Sequence, residues 1–114
     1  MKAVYIKEFG APGNLEIRDV EDPAKPRHTQ VVVKFKAAAL NRADLLQRRG
    51  LYPPPRGYSQ NIPGLEFAGE VAERGENVRP FSVGDRVFGI TAGEAQAEYL
   101  LTEESVLAKI PANL

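Results

Sequence analysis

The chain has 114 residues, 43% of them apolar, and its fifteen Lys and Arg balance fifteen Asp and Glu to a formal net charge of zero. One domain of ordinary size can build a core from this composition without a metal or disulfide staple, and there is no basic excess to attract nucleic acid or an anionic membrane. Cysteine is absent, which removes disulfides, thiolate nucleophiles and cysteine-based zinc sites and fits a cytoplasmic setting.

Met1 runs directly into the strand-like Lys2–Glu8, leaving no room for a signal peptide, and no apolar run nears the roughly 20 residues needed to cross a bilayer. A soluble, cytoplasmic protein is expected. Gly10-Ala11-Pro12-Gly13 turns the chain into a second short strand with Leu15, Ile17 and Val20 on one face, so the first two strands should form a hairpin. Glu21 to Gln30 is a charged, proline-bearing surface loop that carries the only histidine, His28, read as solvated.

Gln30 to Ala39 has the strongest strand pattern: Val31, Val33, Phe35 and Ala37 share one face, while Lys34 and Lys36 mark the other as wet. The period then changes from two to about 3.6, predicting a helix over 41–49. Asn41 is a good N-cap, Asp44 can return a bond to the helix start, Leu45 and Leu46 supply the buried side, and Gly50 can close the last turn. Tyr52 to Ile62, with Pro53-Pro54-Pro55, lacks periodicity and reads as a loop beside that helix. Further strands are expected at Glu66–Glu73, Val83–Ile90, Gln96–Leu101 and Ser105–Ile110, with a turn at Gly75-Glu76-Asn77. Short strands joined by turns, with one brief helix, argue for a mainly β, partly open barrel, although periodicity alone does not separate it from a sandwich.

Asn41-x-x-Asp44, Arg49-Gly50-x-Tyr52-Pro53, Pro63-Gly64-Leu65-Glu66-Phe67-Ala68-Gly69-Glu70-Val71 and Val83-Gly84-Asp85-Arg86-Val87 stand in order along nearly the whole chain. Together they resemble the zinc-independent, zeta-crystallin-like quinone oxidoreductases of the medium-chain dehydrogenase/reductase superfamily, with the tumour-suppressor-induced members nearest. The resemblance implies a GroES-like barrel with short helices, spanning 1–114 as the catalytic domain of a two-domain enzyme. It also implies NADPH as cofactor, with no zinc and no flavin, a quinone or enone as small-molecule substrate, and a parent that is a homodimer through its nucleotide-binding domain. In the zinc alcohol dehydrogenases of the superfamily a cysteine and a histidine ligate the metal at the places that resemble Asn41 and Leu65, and neither an amide nor an isobutyl group replaces them.

Without a metal, hydrogen bonds must hold the reacting carbonyl. Asn41 offers an amide and Tyr52 a phenol, and both are expected to face a quinone oxygen; Asp44 is expected to cap or orient. Asn41 and Arg42 are the candidate cofactor contacts. Glu66, in a strand directed at the core, is expected to pair with Arg86. The sequence has no Gly-x-Gly, so the dinucleotide fingerprint is missing and the chain by itself is expected to be inactive. Two other readings are an enoyl or enone reductase domain and a stand-alone GroES-like interaction module, the latter disfavoured because no apolar mobile loop is present.

Overall fold

A computed structural model describes all residues from Met1 to Leu114. β1 (Lys2–Ile6) and β2 (Leu15–Asp19) form the expected antiparallel hairpin, in register from Lys2 opposite Asp19 to Ile6 opposite Leu15. Then come β3 (Gln30–Ala38), α1 (Arg42–Arg48), β4 (Glu66–Arg74), β5 (Arg86–Ile90), β6 (Tyr99–Glu103) and β7 (Leu107–Lys109). The last five strands make one antiparallel sheet in the order β6-β3-β4-β5-β7. Only one isolated bridge, Ala3 to Ala97, joins the hairpin to the chain beside this sheet, so the barrel is partly open. No helix is long and apolar enough to cross a membrane.

Alternation explains the core. Val31 and Val33 from β3, Phe67 and Val71 from β4, Val87 from β5 and Leu100 from β6 point to one side, where Val78, Phe81 and Ala95 close over them. Phe35 stacks on Phe67 with ring centroids 4.8 Å apart, at the rim of this cluster. Val32 is buried as well, on the opposite face, where Asp22, Pro23, Lys25 and Tyr99 surround it.

The alternation fails at Ala37. The register steps from Phe35↔Gly69 to Ala37↔Ala68, leaving Lys36 unmatched in a bulge, and Ala37, Ala38 and Ala39 are all exposed. Two expected strands also start late. Residues 82–85 are a turn, closed by the Ser82 N–H to Asp85 Oδ2 at 2.9 Å and the Asp85 N–H to the Ser82 carbonyl at 3.0 Å. Residues 96–98 run beside β1 instead, with Val4 N–H donating to the Gln96 carbonyl at 2.8 Å and Glu98 N–H to the Lys2 carbonyl at 3.1 Å. His28 is exposed as expected but not idle: its N–H donates to Glu76 Oε2 at 3.0 Å, and its Nδ1 lies 3.3 Å from Oε1.

The expected Glu66–Arg86 pair does not form. The β4–β5 register sets Glu66 opposite Ile90 and Glu70 opposite Arg86. The Arg86 guanidinium donates instead to the carbonyls of Leu114 at 2.7 Å and Pro111 at 3.1 Å. Glu66 is only half-buried, so water reaches its carboxyl and no buried partner is required.

Candidate active site

The end of β3, the extended residues 39–41 and α1 form the scaffold on which Asn41, Asp44 and Arg42 sit. Asn41 occupies the N-cap position with φ −123° and ψ 157°, and Asp44 stands three residues on in a capping-box arrangement. The return half is a long bond, Asn41 N–H to Asp44 Oδ2 at 3.4 Å. The Asp44 N–H donates to the backbone carbonyl of Asn41 at 3.0 Å, and the Asn41 side-chain oxygen faces the same N–H in the capping box without closing a hydrogen bond, so the side-chain NH2 has no partner in the chain. Its amide is free to serve a ligand.

The docked face of the helix is centred on Asp44 and Gln47 rather than on its leucines, of which Leu46 is half-buried and Leu45 exposed. Leu45 is 50% exposed, whereas Asp44 and Gln47 are buried. Gln47 Oε1 accepts the Gly64 N–H at 3.0 Å and its Nε2 donates to the Ala92 carbonyl at 3.3 Å. The 62–64 and 92–96 segments present backbone polar groups to α1, and only a polar face can answer them. At the other end Gly50 closes the helix with φ +75°, its N–H donating to the Gln47 carbonyl at 3.0 Å. Arg48 Nε donates to the Gly10 carbonyl at 2.9 Å, anchoring that end to the hairpin turn.

Asp44 is the unusual group. Oδ2 accepts from the Asn41 N–H and from Gln96 Nε2, each at 3.4 Å, and Oδ1 is buried with no partner. Burial pushes the carboxyl above its ordinary value; the Asn41 N–H and Gln96 amide oppose the rise, and Glu66 adds to it. Gln96 belongs to this cluster although its sequence context suggested only a strand residue. Its Nε2 also donates to the Ala39 carbonyl at 3.1 Å.

Tyr52 is 49% exposed, beyond the far end of α1, and its hydroxyl has no hydrogen-bond partner in the chain. The seven-residue helix lies between it and Asn41 in the chain. The structure brings Asn41 and Asp44 together in the capping box, and Tyr52 follows three residues after the helix C-cap Arg49. The loop from Tyr52 onward is well tied down. Asn61 Nδ2 donates to the Ile6 carbonyl at 2.7 Å, and Glu94 Oε1 accepts the Ser59 N–H at 3.0 Å. Arg42 is exposed and makes no hydrogen bond or ion pair. An apolar cavity of about 460 Å³ opens nearby, lined by Ala37–Ala39, Glu66, Phe88 and Ile90. No group of three or more His, Cys, Asp or Glu side chains is placed to hold a metal ion.

The partly open antiparallel barrel with its short helix after β3 has the architecture of a GroES-like domain. The chain belongs to the alcohol dehydrogenase GroES-like domain family, whose pattern matches residues 27–112, and within it to the zeta-crystallin-like quinone oxidoreductases of the medium-chain dehydrogenase/reductase superfamily. It is 37% identical over 118 aligned positions to the quinone oxidoreductase of Lama guanicoe, covering all of this chain and 34% of that protein. Acryloyl-coenzyme A reductase of Metallosphaera sedula is 44% identical over 90 positions, covering 79% of this chain and 26% of the relative. The crystal structure of Escherichia coli quinone oxidoreductase complexed with NADPH superposes with a TM-score of 0.88 at 30% identity, over all of this chain and 34% of that one. The chain thus spans about a third of the length of the relatives it matches.

Proposed function

We propose that the chain is the substrate-side, catalytic domain of an NADPH-dependent enzyme that reduces a quinone or another electron-poor carbonyl without zinc or flavin. The observation that supports it most is the likeness, over the full chain, to quinone oxidoreductases, one of them solved with NADPH. The zinc-free reading rests on the side chains of Asn41 and Leu65, which carry no ligand atom suited to the metal. A nucleotide-binding domain outside this sequence would hold most of the cofactor, since no glycine-rich phosphate loop is present here. The cytoplasmic setting and a homodimeric parent rest on the resemblance and on composition. Neither nucleic acid nor a membrane is proposed as a partner.

The residues present fit the reactive end of such a cofactor. The Asn41 amide is free and Arg42 is unpaired at the same exposed junction. NADPH, when bound, supplies a hydride; with one proton from solvent this converts a quinone to its hydroquinone. Asn41 donates an N–H to the carbonyl oxygen that gains negative charge. Tyr52 offers a half-exposed hydroxyl as a second donor to the quinone. Asp44 holds the Asn41 backbone through Oδ2 and so orients the amide.

A second reading is favoured by the acryloyl-coenzyme A reductase relative: an enoyl or enone reductase, in which hydride adds to an alkene conjugated to the same carbonyl. Both are tested by following NADPH oxidation in the full-length parent with 1,4-benzoquinone and with acryloyl-coenzyme A. Quinone turnover supports the first reading and turnover of the enone alone supports the second. Oxidation with neither refutes both, and sustained turnover by the purified 114-residue chain refutes the two-domain arrangement.

A further inference from the structure

We infer that Gln96 is a positioning residue for Asn41, fixing from outside the helix the short span on which Asn41 stands. Three observations converge. The Gln96 side-chain amide divides its donors between the Ala39 carbonyl at 3.1 Å and Asp44 Oδ2 at 3.4 Å, which lie two residues before and three residues after Asn41. The base of that side chain is itself anchored: the Gln96 N–H donates to the Pro63 carbonyl at 2.9 Å, and its carbonyl accepts the Val4 N–H at 2.8 Å. The span it grips has few other ties. Ala39 N–H reaches the Glu66 carbonyl at 3.1 Å, Leu40 is 87% exposed, and the Asn41 N–H shares Asp44 Oδ2 with Gln96.

Gly64 shows that this placement is built in. A Cβ there would lie 2.7 Å from the Gln96 backbone nitrogen and 2.8 Å from its Cγ. Only glycine lets the Pro63-Gly64 segment press close enough to seat the Gln96 side chain. Removing the amide takes from the Ala39 carbonyl its side-chain donor and leaves Asp44 Oδ2 with the Asn41 N–H alone, so the junction loses its tie to residue 96.

The functional consequence rests on Asn41 serving the reaction proposed above; the positioning itself does not, and the test separates them. In the 114-residue chain, amide exchange at Asn41 and the side-chain ¹H–¹⁵N signals of Asn41 are read by NMR in wild type, Gln96→Met and Gln96→Glu. Gln96→Met keeps the length and loses the donor, and is expected to speed exchange at Asn41 roughly tenfold, the effect of about one net hydrogen bond lost. Gln96→Glu sets a carboxylate beside Asp44 and Glu66, near Lys2, Lys36 and Glu98 of the adjoining groove. It is expected to match Gln96→Met at neutral pH and to return toward wild type in acid, as the new carboxyl gains a proton to donate. Simple loss of packing gives no such return.

In the full-length parent, Gln96→Met is expected to lower kcat more than it raises KM. Wild-type exchange and side-chain signals at Asn41 in Gln96→Met overturn the inference. If that variant does not fold, Gln96→Glu decides alone: an Asn41 exchange rate that keeps the same ratio to wild type at neutral and acid pH overturns it. Loosened exchange with unchanged kcat leaves the positioning intact and instead removes Asn41 from the proposed reaction.

Discussion

Replacing Gln47 by leucine tests whether α1 is held by its polar face. Gln47 is 3% exposed, and the substitution strips the Gly64 N–H of its 3.0 Å acceptor and the Ala92 carbonyl of its 3.3 Å donor. A buried group left unpaired costs about 1–3 kcal/mol. Gly64 N–H should stand in the middle of that range, and the Ala92 carbonyl, whose bond is long, at its lower end. The added apolar burial of leucine returns about 1 kcal/mol at most, because the volume is similar and the site is already closed. The net loss is about 2–3 kcal/mol. Urea unfolding of the 114-residue chain, followed by circular dichroism, measures it. Leu45→Gln is the control: Leu45 is half exposed, so this change should stay within about 0.5 kcal/mol. If Gln47→Leu is silent while Leu45→Gln is costly, the leucine side is the docked one and the reasoning fails.

Gly64→Ala should cost more than about 2 kcal/mol in the same assay, since φ is +113° and the new Cβ meets backbone at 2.7 Å; Gly13→Ala, with nothing within 4 Å, should be nearly neutral. Because burial raises the Asp44 pKa in the folded chain, the native state binds its proton more tightly than the unfolded state, so this group lowers stability as pH rises from its ordinary value of 3.8. Glu76 and Asp85, held below their ordinary values by hydrogen bonds, contribute the opposite slope, so the Asp44 part is read as a difference: in urea unfolding from acid to neutral pH, Asp44→Asn should gain stability relative to wild type as pH rises. In the full-length parent, Tyr52→Phe should leave stability unchanged, because the hydroxyl has no partner, and lower kcat by on the order of a hundredfold. Asn41→Asp should melt near wild type and lose activity by replacing an amide donor with an anion; a variant that keeps both would remove the Asn41 amide from the reaction. A chelator should change neither the melt of the chain nor the turnover of the parent.

The architecture was legible where partners are near in sequence. The hairpin between Ile6 and Leu15, the valines of β3 and the stops around α1 follow from local chemistry, because a turn, an alternation or a cap needs only a few residues. The docked face of α1 was not legible. Gln47 answers Gly64 and Ala92, 17 and 45 residues away, and the local apolar signal of Leu45-Leu46 misled at Leu45, which is exposed, while Leu46 is half-buried. Ala37 was misplaced because a bulge at Lys36 resets the two-residue period without any glycine or proline to announce it. Gln96 was missed for a related reason. A glutamine between two alanines in a strand-like run carries no mark of its role, and the only available sign was a buried-looking segment with one long amide in it.

The strand order also bears on how the polypeptide is made. β6 and β7, drawn from residues 99–109, flank the sheet on its two sides, while β3, β4 and β5 between them come earlier in the chain. During synthesis the three inner strands can pair before either flank has left the ribosome, and for that interval β3 and β5 both show unpaired backbone. The exposed margin of β3 carries Val31-Val32-Val33, a short apolar β-branched run suited to pairing with a neighbouring nascent chain. A break or stall anywhere from Tyr99 to Lys109 would prolong that state, so truncation there should cause aggregation well before it causes loss of the inner strands.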